Sequence, residues 1–457
     1  MSFKLLGDIV KIKGGKRLPK SSQLQVIKND HPYIRVRDMG ERYLPRSGLE
    51  YVPDNIFPSI SRYIVNTNDL ILSIVGTVGL VSIVDEFFNN ASLTENCVKL
   101  TGLDEKDAKY LYYYLLSQYG KEEIKARTIG AVQLKLPLYN IEKIQIRWFD
   151  KLIREKIVNC LSTLDDKIEL NNQTNQNLEN IAQAIFKSWF IDFDPVRAKI
   201  AAKQEGKDPE ITAMCAISGK SEVELEQMAK EDFVELQATA ALFPDELVES
   251  ELGEVPKGWE ISKISKIGKV ITGKTPSSKI ENSFAEKGTF FITPTDIDTE
   301  VFVTNTNRYL SEYGEIAIKN SKVDAGSLCI TCIGSQMGKV VITPKSAFTN
   351  QQINSILLFN STLRNYIFLN LRQRRDEIFL IGSGGSTMPI INKSTFESLN
   401  LILPDLALIR KFDNFISPFF NNILSNSVEN IELKNIRDAL LPELLAGKIN
   451  VSMLKDM

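Results

Sequence analysis

The sequence repeats one long helical pattern, and this repeat limits the possible folds more than any other feature. Between Asp150 and Phe190, seam residues recur in steps that alternate between four and three, as in a coiled coil. The seam comprises Ile157, Leu161, Leu164, Ile168, Asn171, Asn175, Leu178, Ala182, Ile185 and Trp189. The seam returns 255 residues later, at Phe412, Ile416, Phe419, Ile423, Asn426, Asn430, Leu433, Arg437, Leu440 and Leu444. Because a heptad seam needs another helix to cover it, we expect the two helices to pair within one chain.

Both seams carry asparagine in the same two places. Asn171 and Asn175 occupy neighbouring seam positions in the first helix, and Asn426 and Asn430 occupy the corresponding positions in the second. An asparagine in a seam costs stability but fixes the register of the pair. A helix of about 40 residues is roughly 60 Å long. The pair is therefore expected to set a distance between other parts of the chain.

The repeat extends into the segments that precede the helices. At an offset of 258 residues the matched pairs are Ile12/Val270, Gly15/Gly273, Lys16/Lys274, Ile34/Ile292, Asp38/Asp296, Leu70/Leu328 and Gly76/Gly334. The offset falls to 252 at Pro137 and Pro389 and returns to 255 at Asp150 and Asp405. Constant spacing with small shifts indicates an internal duplication, in which each copy is a globular part followed by a helix.

Apolar periodicity predicts a mixture of strands and helices in each globular part. In the first copy, strands are predicted at 5–13, 33–36, 69–75, 80–84 and 144–148, and a helix at 105–126. In the second copy, strands are predicted at 290–293, 327–333 and 339–343, and a helix at 363–378. The acidic segment between the copies is expected to be partly helical, at 221–236.

Charge is distributed unevenly along the chain, whose formal net charge is −2. Residues 206–255 hold 13 Asp and Glu and 3 Lys, a charge of −10, so the rest of the chain carries +8. A modestly basic body is compatible with nucleic-acid phosphates without being diagnostic of them. No segment comes near the ~20 apolar residues that span a bilayer. The five scattered cysteines suit a reducing cytoplasm.

One segment matches a nucleotide-binding motif. Gly268–Thr275 fits the phosphate-loop pattern G-x-x-x-x-G-K-[ST], which needs a following helix to face the phosphates. Pro276-Ser277-Ser278 follows instead, and the first copy breaks the pattern at Gly14-Gly15-Lys16-Arg17. A small basic loop that contacts DNA phosphates through backbone N–H groups and lysine fits better. A phosphate-loop nucleotidase is kept as an alternative.

Catalytic chemistry has little support elsewhere in the sequence. Cys329 and Cys332 form a lone CxxC on a predicted strand, where residues three apart face opposite sides, so we expect both to pack in the core. His31 is the only histidine, which leaves no basis for most zinc sites or histidine triads. The chain also lacks the Asn/Asp-Pro-Pro-aromatic run of adenine methyltransferases. We predict no catalytic residue and no metal ligand.

The polar loops come in matched pairs and are the remaining candidates for function. Arg, Lys, Gln, Ser and Thr are the side chains that read base edges and brace phosphates. The predicted DNA-binding residues of the first copy are Gly15, Lys16, Arg17, Lys20, Ser22, Arg35, Arg37, Thr77 and Arg127. Those of the second copy are Lys274, Thr275, Ser277, Ser278, Thr293, Thr295, Ser335, Gln336, Gln351, Arg374, Ser383 and Ser386. Ordinary solvated loops are the alternative. A shared framework with unlike loops favours two readers of two different sequences.

Three segments resemble conserved regions of the specificity subunits of type I restriction–modification systems. Residues 177–197, with the run Ala184–Pro195, resemble the central conserved region. Residues 241–259 resemble the entry to the second target recognition domain, and residues 433–449 resemble the C-terminal conserved helix. The resemblance covers essentially the whole chain. The helical segments are specific, whereas the recognition loops carry no fingerprint beyond a Gly-Lys-Thr-Pro loop and glycine turns.

The resemblance implies an α+β fold with two mixed α/β target recognition domains joined by two long antiparallel coiled-coil helices, as an internal pseudo-twofold repeat. The implied domains are a first target recognition domain at 1–148, a central conserved helix at 149–200, an acidic linker at 201–250, a second target recognition domain at 251–403, and a C-terminal conserved helix at 404–457. Each recognition domain would read one half of a bipartite target in double-stranded DNA, and the helices would fix the gap.

The resemblance also implies partners. Two methyltransferase subunits, which use S-adenosylmethionine to methylate adenine, and two restriction–translocase subunits, which use ATP and Mg²⁺ to cleave unmodified DNA, would assemble with this chain. The chain itself would need no cofactor and would not be an enzyme. Exposed helix ends would bind the partners through Phe186, Trp189, Phe190, Phe193, Leu441, Leu444 and Leu445. Simple packing of the helix ends is the alternative for these residues. A protein–protein scaffold without nucleic acid is the alternative for the whole chain.

Overall fold

The computed structural model describes residues 2–131, 133–384 and 389–449. The chain forms two compact units. Unit 1 comprises Met1–Glu169 and Ile431–Met457, and unit 2 comprises Leu170–Asn430. Both boundaries fall inside the long helices, so each unit holds one globular part together with a portion of each helix. The sequence repeat predicted the long helices as domains of their own, whereas in the structure each compact unit includes part of both helices.

The globular part of unit 1 is built on an antiparallel sheet. Its elements are β1 (Ser2–Leu5), α1 (Leu6–Ile9), β2 (Lys11–Gly14), β3 (Tyr33–Ile34), β4 (Leu70–Ser73), β5 (Val81–Ile83), β6 (Ser92–Leu93), β7 (Cys97–Thr101), α2 (Glu105–Leu116), α3 (Gln118–Arg127), α4 (Leu138–Ile141) and β8 (Gln145–Trp148). The main sheet has the order β2-β7-β4-β5. The parallel pair β3-β6 and the antiparallel pair β1-β8 form two small sheets beside it.

The acidic segment is partly helical, as predicted, and its helices extend beyond the expected 221–236. After α5 (Lys151–Phe190) come α6 (Asp194–Glu205), α7 (Pro209–Ser218), α8 (Glu222–Glu226) and α9 (Lys230–Ala240). The turn between α5 and α6 is made by Phe193, which adopts a left-handed conformation with φ of 57°. The buried Lys199 ammonium lies 2.7 Å from a Glu210 carboxylate oxygen and donates to the Phe243 carbonyl oxygen at 2.9 Å. These contacts connect α6 to α7 and to the segment that leads into the second copy.

Unit 2 repeats the sheet of unit 1. Its elements continue with β9 (Leu247–Ser250), β10 (Gly253–Pro256), β11 (Glu260–Lys263), α10 (Ile264–Ile267), β12 (Gly268–Thr272), β13 (Phe284–Ala285), β14 (Thr289–Ile292), β15 (Tyr309–Leu310), α11 (Glu312–Ala317), β16 (Lys322–Val323), β17 (Leu328–Thr331), β18 (Val340–Ile342), β19 (Ala347–Thr349), β20 (Ile353–Leu358), α12 (Arg364–Gln373), α13 (Arg375–Ser383), α14 (Lys393–Glu397), β21 (Asn400–Leu403) and α15 (Leu406–Leu445). The order β12-β20-β17-β18 reproduces β2-β7-β4-β5 strand for strand. The predicted duplication is therefore confirmed in the fold.

The two long helices run antiparallel, as predicted. In unit 2, the Asn171 side-chain amide donates to the Asn430 side-chain oxygen at 2.9 Å, and Asn426 donates to Asn175 at 2.9 Å. In unit 1, Arg437 donates to an Asp165 carboxylate oxygen at 2.8 Å. Residue numbers rise along α5 while those of their partners fall along α15. The seam asparagines thus meet one another, which explains why both helices carry them.

Three local predictions require correction. The strand predicted at 5–13 is interrupted by the helical turn α1. The helix predicted at 105–126 is two helices, because Ser117 ends α2 and its hydroxyl oxygen accepts from the Gly120 backbone N–H to begin α3. The helix predicted at 363–378 likewise divides into α12 and α13 at Arg374. No helix in the described ranges is long and apolar enough to cross a bilayer.

The predicted partner-binding side chains are buried, so the expectation of an exposed patch is wrong. Phe186, Trp189, Phe190 and Phe193 are at most 6% exposed and belong to the core of unit 2. Leu441, Leu444 and Leu445 are at most 7% exposed and belong to the core of unit 1. The physical reason is that each helix end packs on the globular part of its own unit. Phe190, for example, contacts the ring of Tyr366 in α12 at a centroid distance of 4.9 Å.

Candidate nucleic-acid interface

One edge of the main sheet in unit 1 gathers most of the predicted loops. Because neighbouring strands are antiparallel, the C-terminal ends of β2 and β4 lie at the same edge as the N-terminal ends of β7 and β5. The loops that follow Gly14, connect Ser73 to Val81 and precede Cys97 therefore meet there. A bridge between Val75 and Lys135, which also pairs with Ile129, adds the loop segment around Lys135. We call this edge loop cluster 1.

Unit 2 builds the same arrangement, which we call loop cluster 2. The loops after Thr272, between Thr331 and Val340, and before Ile353 meet at the corresponding edge of its main sheet. The Cys332 backbone N–H donates to the Gln352 carbonyl oxygen at 2.8 Å, which joins two of these loops. Loops that correspond in sequence between the two copies therefore occupy the same edge of the main sheet in each unit.

A glycine starts the first loop of each cluster because no side chain fits there. The Gly15 N–H donates to Cys97 O at 3.1 Å, and a Cβ on Gly15 would lie 2.0 Å from Thr94 O. In unit 2 the Gly273 N–H donates to Ile353 O at 3.0 Å, and a Cβ would lie 2.2 Å from Asn350 O. This close approach fixes the next residue of each loop. Lys16 and Lys274 both follow directly and are both exposed.

The phosphate-loop alternative does not survive in the structure. Gly268–Thr272 is strand β12, paired along its length with β20. A phosphate loop would have to curve around the anion and lead into a helix. After Lys274 the chain continues through Ser277 and Ser278 as exposed loop, and the next α-helix begins only at Glu312. The match to the phosphate-loop pattern is therefore a chance sequence match on strand β12 and the loop that follows it.

A short turn after β3 and β14 places the most different side chains at the clusters. The Arg35 N–H donates to an Asp38 carboxylate oxygen at 2.8 Å, and the Thr293 N–H donates to Asp296 at 2.8 Å. The Thr94 N–H binds Ile34 O at 3.1 Å, which attaches the first turn to loop cluster 1. The same scaffold thus carries Arg35 and Arg37 in unit 1 and Thr293 and Thr295 in unit 2.

The glycine turns are also built alike. The Ser73 hydroxyl donates to Thr77 O at 2.6 Å, and the Thr331 hydroxyl donates to Gln336 O at 2.6 Å. These contacts close the turns and leave three predicted side chains exposed, those of Thr77, Ser335 and Gln336. The Thr275 hydroxyl donates to the Gln351 side-chain oxygen at 2.8 Å, which connects two loops of cluster 2.

Cluster 1 is the more strongly charged of the two. Arg17 forms an ion pair with Glu95, and Arg35 and Arg37 both contact Glu50. Lys20 is exposed, and Ser22 closes a turn by donating from its N–H to Pro19 O at 2.9 Å. Burial raises the pKa of Asp38, and the nearby Arg37 guanidinium partly offsets that rise. Neither Glu50 nor Glu95 was predicted as part of the site.

Two predicted arginines are used inside the protein, which corrects their assignment to the DNA-binding surface. Arg127 donates to Lys143 O at 2.9 Å and pairs with Glu123 at 2.8 Å. Arg374 donates to Asn400 O at 2.7 Å and pairs with Glu377 at 2.6 Å. Each guanidinium closes a helix junction and is about four-fifths buried, with side-chain exposure of 20% and 18%. Sequence reasoning could not distinguish these bracing arginines from exposed ones.

Ser383 lies at the end of α13, where its hydroxyl donates to Phe379 O at 2.7 Å, and Ser386 lies outside the described residues. Cys329 and Cys332 are both buried, as predicted, and burial raises the pKa of each thiol to about 11. Within the described part of the chain, no three His, Cys, Asp or Glu residues are grouped to hold a metal ion.

Comparison with known proteins matches this duplicated architecture. A family model described as the type I restriction modification DNA specificity domain matches residues 1–180 and 256–435, one match for each copy. The chain is 38% identical over 356 residues to the HindI specificity subunit of a type I restriction enzyme from Haemophilus influenzae. That alignment covers 75% of this chain and 77% of the relative.

Two further comparisons span nearly the whole chain. The MjaIX type I specificity subunit of Methanocaldococcus jannaschii is 25% identical over 470 residues, covering 99% of this chain and 94% of that protein. The crystal structure of the type I restriction–modification S subunit from M. genitalium has the same fold, with a TM-score of 0.52, 14% identity, and coverage of 97% and 95%. The chain therefore belongs to the family of type I restriction–modification DNA specificity subunits, the subunits that recognise a DNA sequence.

Proposed function

We propose that loop clusters 1 and 2 are two separate DNA-reading surfaces, each responsible for one half of a bipartite target. The observation that carries this proposal is that one scaffold is built twice with unlike side chains at matched positions. Arg35 and Arg37 stand where Thr293 and Thr295 stand in the other unit. Arginine favours guanine, whereas a threonine methyl favours the methyl group of thymine. The two half-sites are therefore expected to differ in sequence.

In this proposal the long helices fix the unread gap between the half-sites. Their register is specified by the asparagine contacts, and a specified register holds a distance constant. The protein would act in the cytoplasm without a cofactor or catalytic residue of its own. Two methyltransferase subunits using S-adenosylmethionine and two restriction–translocase subunits using ATP and Mg²⁺ would supply the chemistry.

An exchange of one globular part tests independent reading. Residues 1–148 would be replaced by the corresponding part of a specificity subunit with a different target, and the methylated motif would be read from the genome of the host cell. We expect one half-site to change while the other half-site and the gap stay the same. The matched control exchanges 251–403 and should change the opposite half. A change in both half-sites after either exchange contradicts independent reading.

Salt dependence separates this proposal from a scaffold without nucleic acid. A DNA-binding surface releases condensed counterions, so the logarithm of its binding constant falls linearly with the logarithm of salt concentration. We expect that behaviour for a duplex containing the methylated motif. Affinity that is absent, or indifferent to salt, would favour the scaffold.

A further inference from the structure

Two arginines of loop cluster 1 share a single carboxylate. An amino group of Arg35 and an amino group of Arg37 both contact the same oxygen, Oε2 of Glu50, and the Arg37 contact measures 2.5 Å. The Arg37 side chain is 57% exposed, whereas those of Arg35 and Glu50 are 24% and 26% exposed. Arg37 is therefore the most exposed of the three side chains, whereas those of Arg35 and Glu50 are mostly buried.

Comparison with unit 2 shows which residue stands at the position of Glu50 when the two arginines are absent. The Tyr33 N–H donates to Glu50 O at 2.9 Å, and the Phe291 N–H donates to Arg308 O at 3.1 Å. Tyr33 and Phe291 correspond at the 258-residue offset, so Arg308 occupies the place of Glu50. The Arg308 guanidinium lies 3.6 Å over the ring of Phe284. The acidic residue is thus present in the copy that has the two arginines and is replaced in the copy that has threonines.

The aspartate of the turn after β3 and β14 has different hydrogen-bond donors in the two copies. In unit 2, the outer oxygen of Asp296 accepts from the Asn307 N–H at 2.8 Å and from its side-chain amide at 2.7 Å. In unit 1, Leu49 stands in the place of Asn307, and the outer oxygen of Asp38 accepts from Arg37 Nε at 3.4 Å instead. Arg37 therefore contacts two carboxylates at once, that of Asp38 through Nε and that of Glu50 through an amino group.

This geometry suits a base contact better than a phosphate contact. The guanidinium fork of arginine matches O6 and N7 of guanine with two parallel hydrogen bonds. A side chain whose position is already held by two carboxylates loses less conformational entropy when it binds. A carboxylate beside it repels phosphate and so discourages contacts that ignore sequence. Arg35 contacts the same oxygen of Glu50, which helps to neutralise that carboxylate while Arg37 is held.

Resting on the proposed function, we propose that Arg37 reads a guanine in the half-site bound by unit 1 and that Glu50 is the positioning residue that holds Arg37 for that guanine. The Glu50 carboxylate increases selectivity because it repels the phosphates of DNA that lacks this guanine. The half-site bound by unit 2 is read at the matching position by Thr293 and Thr295 and lacks this requirement.

The test uses the assembled methyltransferase with the full chain and duplexes carrying the methylated motif. Arg37→Ala should lower discrimination at one guanine by about 5- to 150-fold, the range for one bidentate base contact. Arg37→Lys keeps the charge but lacks the fork, so it should lose the same discrimination while retaining affinity for unrelated DNA. Arg46→Ala is the matched control, since Arg46 is also exposed and paired with a carboxylate, Asp85 at 3.0 Å.

A modified base separates base reading from phosphate binding. Replacing the guanine by 7-deazaguanine removes the N7 acceptor and should weaken binding of the unaltered protein but not of Arg37→Ala. Glu50→Gln should bind unrelated DNA more tightly, with a salt dependence steeper by about one counterion. Uniform weakening by Arg37→Ala at every sequence, or a Glu50→Gln variant no tighter on unrelated DNA, overturns the inference. Absence of any bipartite motif in the unaltered complex would instead overturn the proposed function.

Discussion

The side-chain amide of Asn171 donates to the side-chain oxygen of Asn430 at 2.9 Å, in the seam between the two long helices. Asn430 in turn donates to Asn172 at 2.8 Å, and Asn426 donates to Asn175 at 2.9 Å. Amides that must meet across a seam penalise any shifted register, because a shift leaves buried polar groups without partners. The contacts explain why both copies of the duplication carry these residues.

Replacing all four seam asparagines by leucine should raise the midpoint of thermal unfolding and lower the uniqueness of the register. Leucine in the seam buries apolar surface in place of a polar pair. Asn430→Leu alone should destabilise the fold by about 1–3 kcal/mol, because it removes partners of Asn171 and Asn172. Thermal unfolding of the single and quadruple variants measures both effects. A quadruple variant less stable than the parent would show that the amides stabilise the pair.

Asp165 marks a difference between the two ends of the helix pair. It accepts from the Tyr113 hydroxyl at 2.7 Å and from Arg437 at 2.8 Å inside unit 1. At the 255-residue offset the corresponding positions in unit 2 are Phe420 and Ala182, both fully buried. Asp165→Phe should destabilise the chain by about 1–3 kcal/mol, because Tyr113 and Arg437 lose their shared acceptor while Arg437 keeps its ion pair with Asp438.

The same comparison supplies the compensating change. Asp165→Phe combined with Arg437→Ala introduces the residues that unit 2 has at these positions and should recover a large part of the loss measured by denaturant unfolding. Replacing a buried ion pair by well-packed apolar residues is often neutral or stabilising. A double variant as unstable as Asp165→Phe alone would mean that the two levels of the helix pair are not equivalent.

Lys16 and Lys274 should each contribute one phosphate contact. Lys16→Ala and Lys274→Ala are expected to weaken binding about equally for all DNA sequences and to reduce the salt slope by about one. Lys11 and Lys269 are matched controls, because each is exposed and lies five residues before the loop lysine of its copy. Lys11 is the first residue of β2 and Lys269 is the second residue of β12, so both lie away from the loop end of the strand. Equal effects from the control and loop lysines would mean that the clusters do not face DNA.

Adding one heptad to each long helix should lengthen the gap of the target without changing either half-site. The insertions belong at Glu169 and Asn430, where the chain passes between the two compact units. A heptad preserves the seam, whereas an insertion of four residues rotates it and serves as the control. Sequencing of the methylated motif measures the gap. An altered half-site after the heptad insertion contradicts the role of the helices as a spacer.

Periodicity predicted the long helices well because a seam repeats over many turns. Single breaks were harder to see. Ser117 divides one predicted helix through a local cap, and a Cβ on Gly120 would lie 2.2 Å from Tyr114 O, a close approach that no periodic pattern reports. The loop residues were found by comparing the copies. Their surroundings were not, because Arg127 and Arg374 resemble exposed arginines until their carbonyl partners are known.

The buried aromatic cluster shows a second limit of sequence reasoning. Trp189 and Phe190 at a helix end suggested a docking patch, yet Trp189 packs on Phe243 and Phe190 packs on Trp259 in unit 2. Which apolar residues of a helix end face their own chain depends on contacts made across large sequence distances. Glu50 was missed for the same reason, although the 258-residue offset pairs it with Arg308 and so offered a signal.

The most direct test of the central claim is methylation-aware sequencing of a genome with and without the gene for this chain, with its partner methyltransferase intact. We expect methylated adenine in a two-part motif of fixed gap, which is lost on deletion and restored when the gene is returned. A methylation pattern that contains such a motif and is unchanged by the deletion would contradict the claim that this chain selects the sequence.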